Sequence, residues 1–324
     1  MIIVQTPLRV SFLGGGTDFE DFYLNHGGAV LSTAIDKYAF VVMKERFDDM
    51  IYVNYSKKEI VSNVDDLEHE LVREAMKMAG VEKGVEISTF VDVREGTGLG
   101  SSSSITVGLL QSLYAYKGEA ETAGTLARQA CQIEVDILGK PMGRQDQYIA
   151  AYGNMRFITF SREGISAEKV VLSKEGKTKL SERLMLFFTK RTRRSGEILA
   201  EQKANIAERV EVLKEMTKLA YQGREAITRE TFDELGEMLH KGWQLKRQLA
   251  SKISNSDLDE MYQAALNSGA VGGKITGAGG GGFLLLYAPA QRRDDIRSAL
   301  WGLEEIPLRF EADGTKVIFD YRRS

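Results

Sequence analysis

Cysteine, proline and long apolar runs are all scarce in this chain of 324 residues. The single cysteine, Cys131, cannot form an intrachain disulfide, so we expect a cytoplasmic protein. The longest apolar run, 283–288, is far shorter than the roughly 18 residues that a membrane-spanning helix needs, and we expect no membrane association. The first five residues also lack the basic and cleavable features of a signal peptide.

An excess of either charge is lacking too. The chain has 43 Lys and Arg against 46 Asp and Glu, which gives a net charge of −3. This balance produces no overall field that attracts DNA or RNA, so we expect no nucleic-acid partner and only local recognition of phosphate. The length and the hydrophobic fraction of 43% suffice for two domains or one large one.

Glycine, by contrast, is abundant, with 32 residues, and much of it lies in three clusters. The clusters are 14–16, 96–100 and 277–282. Because glycine lets another group approach the backbone closely, these clusters are the first candidates for a binding site.

Apolar periodicity predicts a β-rich start and a helix-rich second half. We expect strands at 2–13, 29–42, 85–93, 155–160, 184–189, 283–287, 307–310 and 316–321. We expect helices at 65–79, after residue 104, at 120–138, within 195–221 and 230–253, and at 291–303. This order indicates an α+β protein with helices on one face of an antiparallel sheet. The change near residue 178 from the β-rich first part to the helix-rich second part suggests two domains, 1–178 and 179–324.

The common phosphate-binding fingerprints do not account for the glycine clusters. The chain has no G-x-x-x-x-G-K-[ST] motif and no protein-kinase H-R-D or D-F-G motif. The third cluster matches G-x-G-x-x-G, but an apolar strand follows it, whereas a dinucleotide fingerprint follows a strand and opens a helix.

The second cluster has the context that the third lacks. A predicted strand leads into it, and four serines, 101–104, follow where a helix is predicted to begin. Backbone N–H groups and the positive helix end would then converge on a polyphosphate, and a serine hydroxyl could coordinate Mg²⁺. The alternative is a flexible loop with Ser104 as an ordinary helix N-cap.

Two carboxylates, Glu134 and Asp146, lie 12 residues apart on either side of the helix-breaking segment 139–141. A helix, a turn and a second helix can direct both into one cleft. Glu134 would suit a metal ligand, and Asp146 would suit a base that accepts a proton from a substrate hydroxyl. The alternative for each is an ordinary surface carboxylate.

Three segments together resemble the three motifs of the GHMP kinases, the family of galactokinase, homoserine kinase, mevalonate kinase and phosphomevalonate kinase. They are 6–19 (TPLRVSFLGGGTDF), 96–104 (GTGLGSSSS) and 274–283 (KITGAGGGGF), in the family's order. The resemblance implies a two-domain α+β fold. Its N-terminal domain would be like domain 2 of ribosomal protein S5, with a left-handed βαβ crossover, and its C-terminal domain ferredoxin-like. The resemblance also implies ATP and Mg²⁺, and a monomer or homodimer.

Individual roles follow from the same resemblance. Asp146 would be the catalytic base with Arg9 paired to it, and Ser102 and Glu134 would hold Mg²⁺. ATP would lie on the second cluster, against Gly96, Gly98, Leu99, Gly100, Ser101, Ser102 and Ser103. The substrate would contact Gly15, Gly16, Thr17, Asp18 and Gly279.

The first motif narrows the range of candidate substrates. Galactokinases usually have Gly-Glu-His-Thr-Asp where this chain has Gly-Gly-Gly-Thr-Asp at 14–18, so two side chains of a galactose site are missing. The form present resembles the bacterial heptose 7-phosphate kinases, which phosphorylate the anomeric hydroxyl on the way to nucleotide-activated heptose. Fucokinase-type proteins are similar here.

A heptose phosphate requires a cationic site for its phosphate. The candidates are Arg193 and Arg194, which precede a helix predicted to begin near Ser195. Lys37, Arg144 and Lys274 are the alternatives.

Two other functions stay open. One is a kinase for another small alcohol, such as a free hexose, homoserine or mevalonate. The other is a sensor that binds sugar and nucleotide without catalysis. The presence of Arg9, Ser102, Glu134 and Asp146 argues against the sensor, because a sensor needs no base beside a metal ligand.

Overall fold

The computed structural model describes residues 1–192 and 195–321. Within these ranges twelve strands form two sheets and are accompanied by eleven α-helices. The strands are β1 (Ile2–Leu13), β2 (Gly28–Glu45), β3 (Ile51–Asn54), β4 (Lys58–Val61), β5 (Val85–Val91), β6 (Met155–Ser161), β7 (Gly164–Lys169), β8 (Leu184–Phe188), β9 (Gly272–Ile275), β10 (Phe283–Tyr287), β11 (Glu304–Ile306) and β12 (Lys316–Asp320). The helices are α1 (Glu20–His26), α2 (Glu70–Ala79), α3 (Ser101–Lys117), α4 (Ala123–Cys131), α5 (Gln145–Tyr152), α6 (Lys174–Arg183), α7 (Ser195–Ala204), α8 (Val210–Thr228), α9 (Phe232–Lys246), α10 (Ser256–Asn267) and α11 (Arg293–Ala299).

The first sheet has the strand order β12-β1-β2-β5-β3-β4, and β6 and β7 extend it from β2. Its neighbours are antiparallel except β3 and β5, which are parallel and are joined through β4 and α2. Apolar side chains of this sheet, such as Val41 and Ile87, form one core with α2–α5, including Leu109 and Leu113 of α3. This core holds α3 against the sheet at the point where the second glycine cluster ends.

The second sheet is antiparallel, with the order β11-β8-β10-β9. The five residues of β10 are all buried, because its two faces belong to different cores. Phe283, Leu285 and Tyr287 join a core shared with β1, α8 and α9. Leu284 and Leu286 join a third core that includes residues of α9–α11. Burial on both faces explains why this strand is a continuous apolar run.

The structure confirms the predicted strand at 2–13 and the predicted strand at 283–287. The helix predicted at 120–138 is observed as α4 followed by a π-helical turn, Gln132–Ile137. Such turns often occur at functional sites, and this one carries Glu134. The strand predicted at 307–310 is wrong: a strand lies at Glu304–Ile306, where it pairs with β8, and Phe310 forms only an isolated bridge to Ile35.

The two sheets do not divide the chain at a single position. The predicted domain boundary between residues 178 and 179 falls inside α6. The last strand, β12, returns to the first sheet and pairs antiparallel with β1. The boundary itself stays a prediction. Among the described residues, no helix is both long and apolar enough to cross a membrane.

The second and third glycine clusters pack directly against each other. A Cβ atom on Gly98 would lie 2.6 Å from the carbonyl oxygen of Thr276, and one on Gly282 would lie 2.2 Å from that of Thr97. Gly98 and Gly282 also have positive φ angles of 80° and 93°. The two loops therefore meet at a distance that only glycine permits.

Gly282 provides a test of this contact. We expect Gly282→Ala to lower the free energy of unfolding by on the order of 1–3 kcal/mol, because the new methyl group meets backbone and the φ angle is strained. It should also raise KM for ATP, the ligand that the sequence resemblance implies for this loop, since Thr97 precedes Gly98. Denaturant unfolding and initial rates measure the two effects. Gly302→Ala is the matched control, because a Cβ there has no atom within 4 Å. Equal stability of the two variants would contradict the contact.

Candidate active site

Arg9 on β1 and Asp146 in the first turn of α5 form a two-pronged ion pair. Arg9 Nε donates to Asp146 Oδ1 at 2.7 Å, and Arg9 Nη2 donates to Oδ2 at 2.6 Å. The third nitrogen, Nη1, donates to the carbonyl oxygen of Gly98 at 2.7 Å. The side chains are only 7% and 14% exposed. The pairing implied by the sequence resemblance is thus observed, and it lies beside the second glycine cluster.

The second glycine cluster is a loop that leads into the N-terminus of α3. Gly96, Gly98 and Gly100 have φ angles of 77°, 80° and 78°, so alternate residues adopt a left-handed conformation. The helix begins at Ser101, directly after Gly100. The alternative role of Ser104 as N-cap is wrong, because Ser104 lies inside the helix and its hydroxyl donates to Pro7 O at 2.8 Å. The first N–H groups of α3 have no intrahelical acceptor and therefore face the loop as an anion site.

Glu134 is completely buried and accepts three side-chain hydrogen bonds. Ser102 Oγ donates to Oε1 at 2.6 Å, and Ser103 Oγ and Gln147 Nε2 each donate to Oε2 at 2.7 Å. Burial raises the pKa of the Glu134 carboxyl above its usual value, although these hydrogen bonds and the positive charge of Lys140 lower it. Among the described residues, no ion pair joins Glu134 to a basic side chain. A buried carboxylate without an ion pair is stabilised when a cation binds next to it.

The donor set around Glu134 fits Mg²⁺. This ion prefers oxygen ligands and binds proteins through one or two carboxylates, keeping its other positions for water and phosphate oxygens. Ser102 and Ser103 both line the cleft, but Ser102 is partly exposed and Ser103 is 1% exposed, so Ser102 is the more accessible of the two partners of Glu134. Within the part of the chain that the structure describes, no cluster of three or more His, Cys, Asp or Glu side chains forms a competing metal site.

Asp18 lies in a smaller cavity next to the Arg9–Asp146 pair. Its Oδ1 accepts from the backbone of Gly16 at 2.8 Å, and its Oδ2 accepts from Gln145 Nε2 at 3.0 Å. Burial raises the pKa of Asp18, and the negative charge of Asp146 raises it further. The hydroxyl of Ser11 and the carbonyl oxygen of the Gln145 side chain are buried without a hydrogen-bond partner. Both residues line the cavity, so these atoms are available to a polar ligand.

The small cavity and a large cleft share one wall. The small cavity occupies about 490 Å³ and the cleft about 1770 Å³, each including open space at its mouth. The cleft is lined by the second glycine cluster and its serines. The residues common to both are Arg9, Met142, Asp146, Leu199, Gly277 and Ala278. A ligand in the cleft and a ligand in the cavity would therefore meet at the Arg9–Asp146 pair.

Some residues predicted to bind the substrate have other contacts. The Thr17 hydroxyl exchanges hydrogen bonds with the backbone of Ala29, at 3.0 and 3.1 Å. Gly279 packs against Ile253, whose carbonyl oxygen would be 2.6 Å from a Cβ. These contacts give both residues a structural role, whereas Gly15, Gly16 and Asp18 do line the cavity.

The predicted phosphate-binding cations separate into three groups. Arg193 and Arg194 lie outside the described residues. Arg144 is engaged by Glu20 and Asp136, at 2.8 and 2.6 Å, and Lys37 is paired with Asp36 at 3.2 Å. Lys274, in contrast, lines the cavity.

Sequence reasoning missed two residues of the site. Lys246 lines the small cavity, and Gln147 binds Glu134. One signal for Lys246 exists, because it follows Leu235, Leu239 and Trp243 on the buried stripe of α9 at helical spacing. A lysine on an apolar stripe is unusual and indicates either a buried partner or a ligand.

Comparison with known proteins shows the same architecture. Residues 65–154 match the model of the GHMP kinases N terminal domain, and residues 224–302 match the model of the GHMP kinases C terminal. A mevalonate kinase of Methanothermobacter thermautotrophicus is 31% identical over 225 residues, which cover 67% of this chain and 68% of that protein. The chain belongs to the GHMP kinase family, and it is an ATP-dependent small-molecule kinase.

Two further relatives are named as heptose phosphate kinases. The D-glycero-alpha-D-manno-heptose 7-phosphate kinase of Campylobacter jejuni is 28% identical over 317 residues, which cover 92% of this chain and 93% of that protein. The crystal structure of a D-glycero-D-manno-heptose 1-phosphate kinase from Bacteroides thetaiotaomicron superposes with a TM-score of 0.83, at 22% identity, over 99% of this chain and 100% of that one. The second likeness establishes the fold alone.

Glu134 provides a test of the metal site. We expect Glu134→Gln to reduce turnover by orders of magnitude and to shift activity to higher Mg²⁺ concentration, because it removes the negative charge that would bind the ion and keeps the side-chain shape. Initial rates over a Mg²⁺ titration measure this, with circular dichroism to confirm folding. The exposed Glu82→Gln is the control. A wild-type Mg²⁺ dependence in Glu134→Gln would exclude Glu134 as a ligand.

Proposed function

We propose that this kinase transfers the γ-phosphoryl group of ATP to the anomeric hydroxyl of a sugar phosphate. The substrate that we infer is D-glycero-D-manno-heptose 7-phosphate, which gives the 1,7-bisphosphate needed for nucleotide-activated heptose. The proposal rests on the position of the Arg9–Asp146 pair. This pair lines both the large cleft with the second glycine cluster and the small polar cavity. We further propose that the enzyme acts in the cytoplasm as a monomer or homodimer.

The residues that line the large cleft would bind the phosphates of ATP. The loop at Gly98 and the N-terminal amides of α3 would hold the β- and γ-phosphates, because they combine close backbone approach with the positive helix end. Ser102 and Glu134 would hold Mg²⁺, which neutralises phosphate charge when bound. Arg9 would add positive charge next to the transferred group.

The cavity side positions the accepting hydroxyl. Asp146 would accept its proton, and the two hydrogen bonds from Arg9 fix the carboxylate in one orientation. Phosphoryl transfer depends mainly on positioning and charge stabilisation, so a fixed carboxylate beside a guanidinium suits it.

The polar lining of the cavity favours a sugar. Asp18 is an acceptor held in place by Gly16 and Gln145, and Ser11 and Gln145 add polar atoms that have no protein partner. Several such groups in a small space match a polyhydroxylated ligand, because each sugar hydroxyl both donates and accepts. The Campylobacter jejuni relative, similar over nearly its whole length, supports a heptose phosphate.

Removal of the base tests the chemical step. We expect Asp146→Asn to lower kcat by about 10²- to 10⁴-fold with a smaller change in KM, because proton acceptance is needed only as the reaction proceeds. Steady-state kinetics and the pH dependence of kcat measure the effect. If kcat and its pH profile were unchanged, Arg9 would be the main catalytic group and the reaction would need no base.

A substrate panel tests the acceptor. We expect ADP release to be fastest with D-glycero-D-manno-heptose 7-phosphate and slower with the unphosphorylated heptose, fucose, galactose, homoserine and mevalonate. The product should carry the new phosphate at the anomeric carbon, which ³¹P NMR detects. A preference for an unphosphorylated sugar would identify a free-sugar 1-kinase instead. Sugar binding without turnover would identify a sensor.

A further inference from the structure

Two lysines of the C-terminal half, Lys246 and Lys274, enter the small cavity side by side. Lys246 is the last residue of α9 and Lys274 lies on β9, and they are 5% and 7% exposed. Both line the cavity that holds Asp18. Both also line a second, smaller cavity that includes Leu219 and Gly242. Buried lysines are rare in proteins, so two in one cavity require an explanation.

Each lysine side chain donates to neutral acceptors. Lys246 Nζ donates to the side-chain oxygen of Gln202 at 2.8 Å and to the carbonyl oxygen of Gly15 at 3.3 Å. Lys274 Nζ donates to the carbonyl oxygen of Phe12 at 3.3 Å. Within residues 1–192 and 195–321, no ion pair joins Lys274 to a carboxylate. These contacts orient the two ammonium groups in the cavity.

A third donor lies next to the lysines. Gln202 is 2% exposed, and its Nε2 has no hydrogen-bond partner. A Cβ atom on Gly16 would lie 2.7 Å from this nitrogen and 3.6 Å from Lys246 Nζ, so both groups face the same glycine of the cavity wall. A buried amide donor without an acceptor is unfavourable unless a ligand supplies the acceptor.

The positive charges of the two lysines repel each other. Burial, together with the positive charges of Lys246 and Arg9, lowers the pKa of Lys274 to about 7, whereas the charge of Asp18 opposes the shift. A bound dianion would reverse the like-charge repulsion and replace the lost hydration. The groups present are therefore those of an anion site.

The position of the lysines suits one end of a sugar phosphate. Asp146 lines both the small cavity and the large cleft, whereas the two lysines line the small cavity but not the cleft. Asp18 is near both, since the charge of Asp146 acts on Asp18 and the charge of Asp18 acts on Lys274. A ligand that places a hydroxyl at Asp146 can therefore place an anionic group at the lysines, with sugar hydroxyls at Asp18 between them.

We propose that Lys246 and Lys274, with the Gln202 side-chain amide, bind the phosphate group that the sugar substrate already carries. This assignment rests on the proposed function, and it replaces Arg193 and Arg194 as the phosphate-binding residues. The lysines are binding residues and do not take part in the chemical step.

Lysine variants test the subsite through the substrate. We expect Lys246→Met and Lys274→Met each to raise KM for heptose 7-phosphate by about 10- to 150-fold, the equivalent of one charge-assisted hydrogen bond. KM for ATP should stay nearly unchanged, and activity with the unphosphorylated heptose should not fall. Lys241→Met is the matched control, because Lys241 is an exposed residue of the same helix. Lys246→Arg and Lys274→Arg should recover part of the loss, and thermal unfolding checks that every variant is folded.

The outcomes separate the subsite from the proposed function. If both lysine variants bind heptose 7-phosphate normally, or if only Arg193→Ala and Arg194→Ala weaken it, the lysine subsite is wrong and the function still holds. If the wild-type enzyme does not use a phosphorylated sugar, the proposed function fails. In that case calorimetric titration with inorganic phosphate decides: binding lost in the lysine variants supports the anion site, and binding retained overturns it.

The pH dependence of KM provides an independent test of the role of Lys274. Lys274 is charged below about pH 7 and neutral above it, whereas a sugar phosphate is already a dianion above about pH 6. KM for heptose 7-phosphate should therefore rise between pH 7 and 9 in the wild-type enzyme. The groups that face Lys274 are Lys246, Arg9 and Asp18. A rise of the same size in Lys274→Met would contradict a role for Lys274.

Discussion

The ion pair between Arg9 and Asp146 is the contact on which the site depends. It joins β1, the loop at Gly98 and the first turn of α5, because the same guanidinium also binds the Gly98 carbonyl oxygen. The backbone N–H of Arg9 adds a bond to Leu99 O at 3.0 Å. Removal of one partner from such a shielded pair leaves an uncompensated charge, a loss of about 3–5 kcal/mol. The contact that orients the proposed base thus also positions the phosphate loop.

The second constraint on the site is close backbone contact between distant segments, which only glycine permits. The third cluster looks like a phosphate loop, but Gly282 lies against the backbone at Thr97, and Gly277 lies against Gly98. Gly143 has a similar role, since a Cβ there would be 2.0 Å from Asp18 Oδ2. The abundance of glycine therefore reflects the packing of loops around the site as much as direct contact with ligand.

The site contains charges that burial opposes. Glu134 and Asp18 have raised pKa values and Lys274 has a lowered one, and desolvation is the largest cause in each case. Ligands of opposite charge would relieve two of these groups: a metal ion at Glu134, and a phosphate at Lys274. In the proposed phosphate subsite, a bound dianion would favour the charged form of Lys274, which burial disfavours.

The sequence by itself determined the family, the strand β1, the apolar strand β10 and the loop before α3. Its resemblance to the family also singled out Arg9, Asp146, Glu134 and Ser102 as candidate site residues. The strands follow from local periodicity, whereas the family and these candidates follow from motifs at three places in the chain. The pattern also placed the 120–138 helix correctly at its start, but it did not foresee the π-helical turn that carries Glu134.

Only the tertiary structure decided which cations reach the substrate cavity and which glycines contact backbone. Lys274 binds the carbonyl oxygen of Phe12, 262 positions away, and Lys246 binds that of Gly15, 231 positions away. Arg144 has the same charge in the sequence, yet it is neutralised by Glu20 and Asp136. Local periodicity depends on residues three or four apart, whereas a binding cavity depends on which distant segments fold together. The sequence names the charged residues, and the packing of α9 and β9 against β1 places two of the lysines in the cavity beside Arg9.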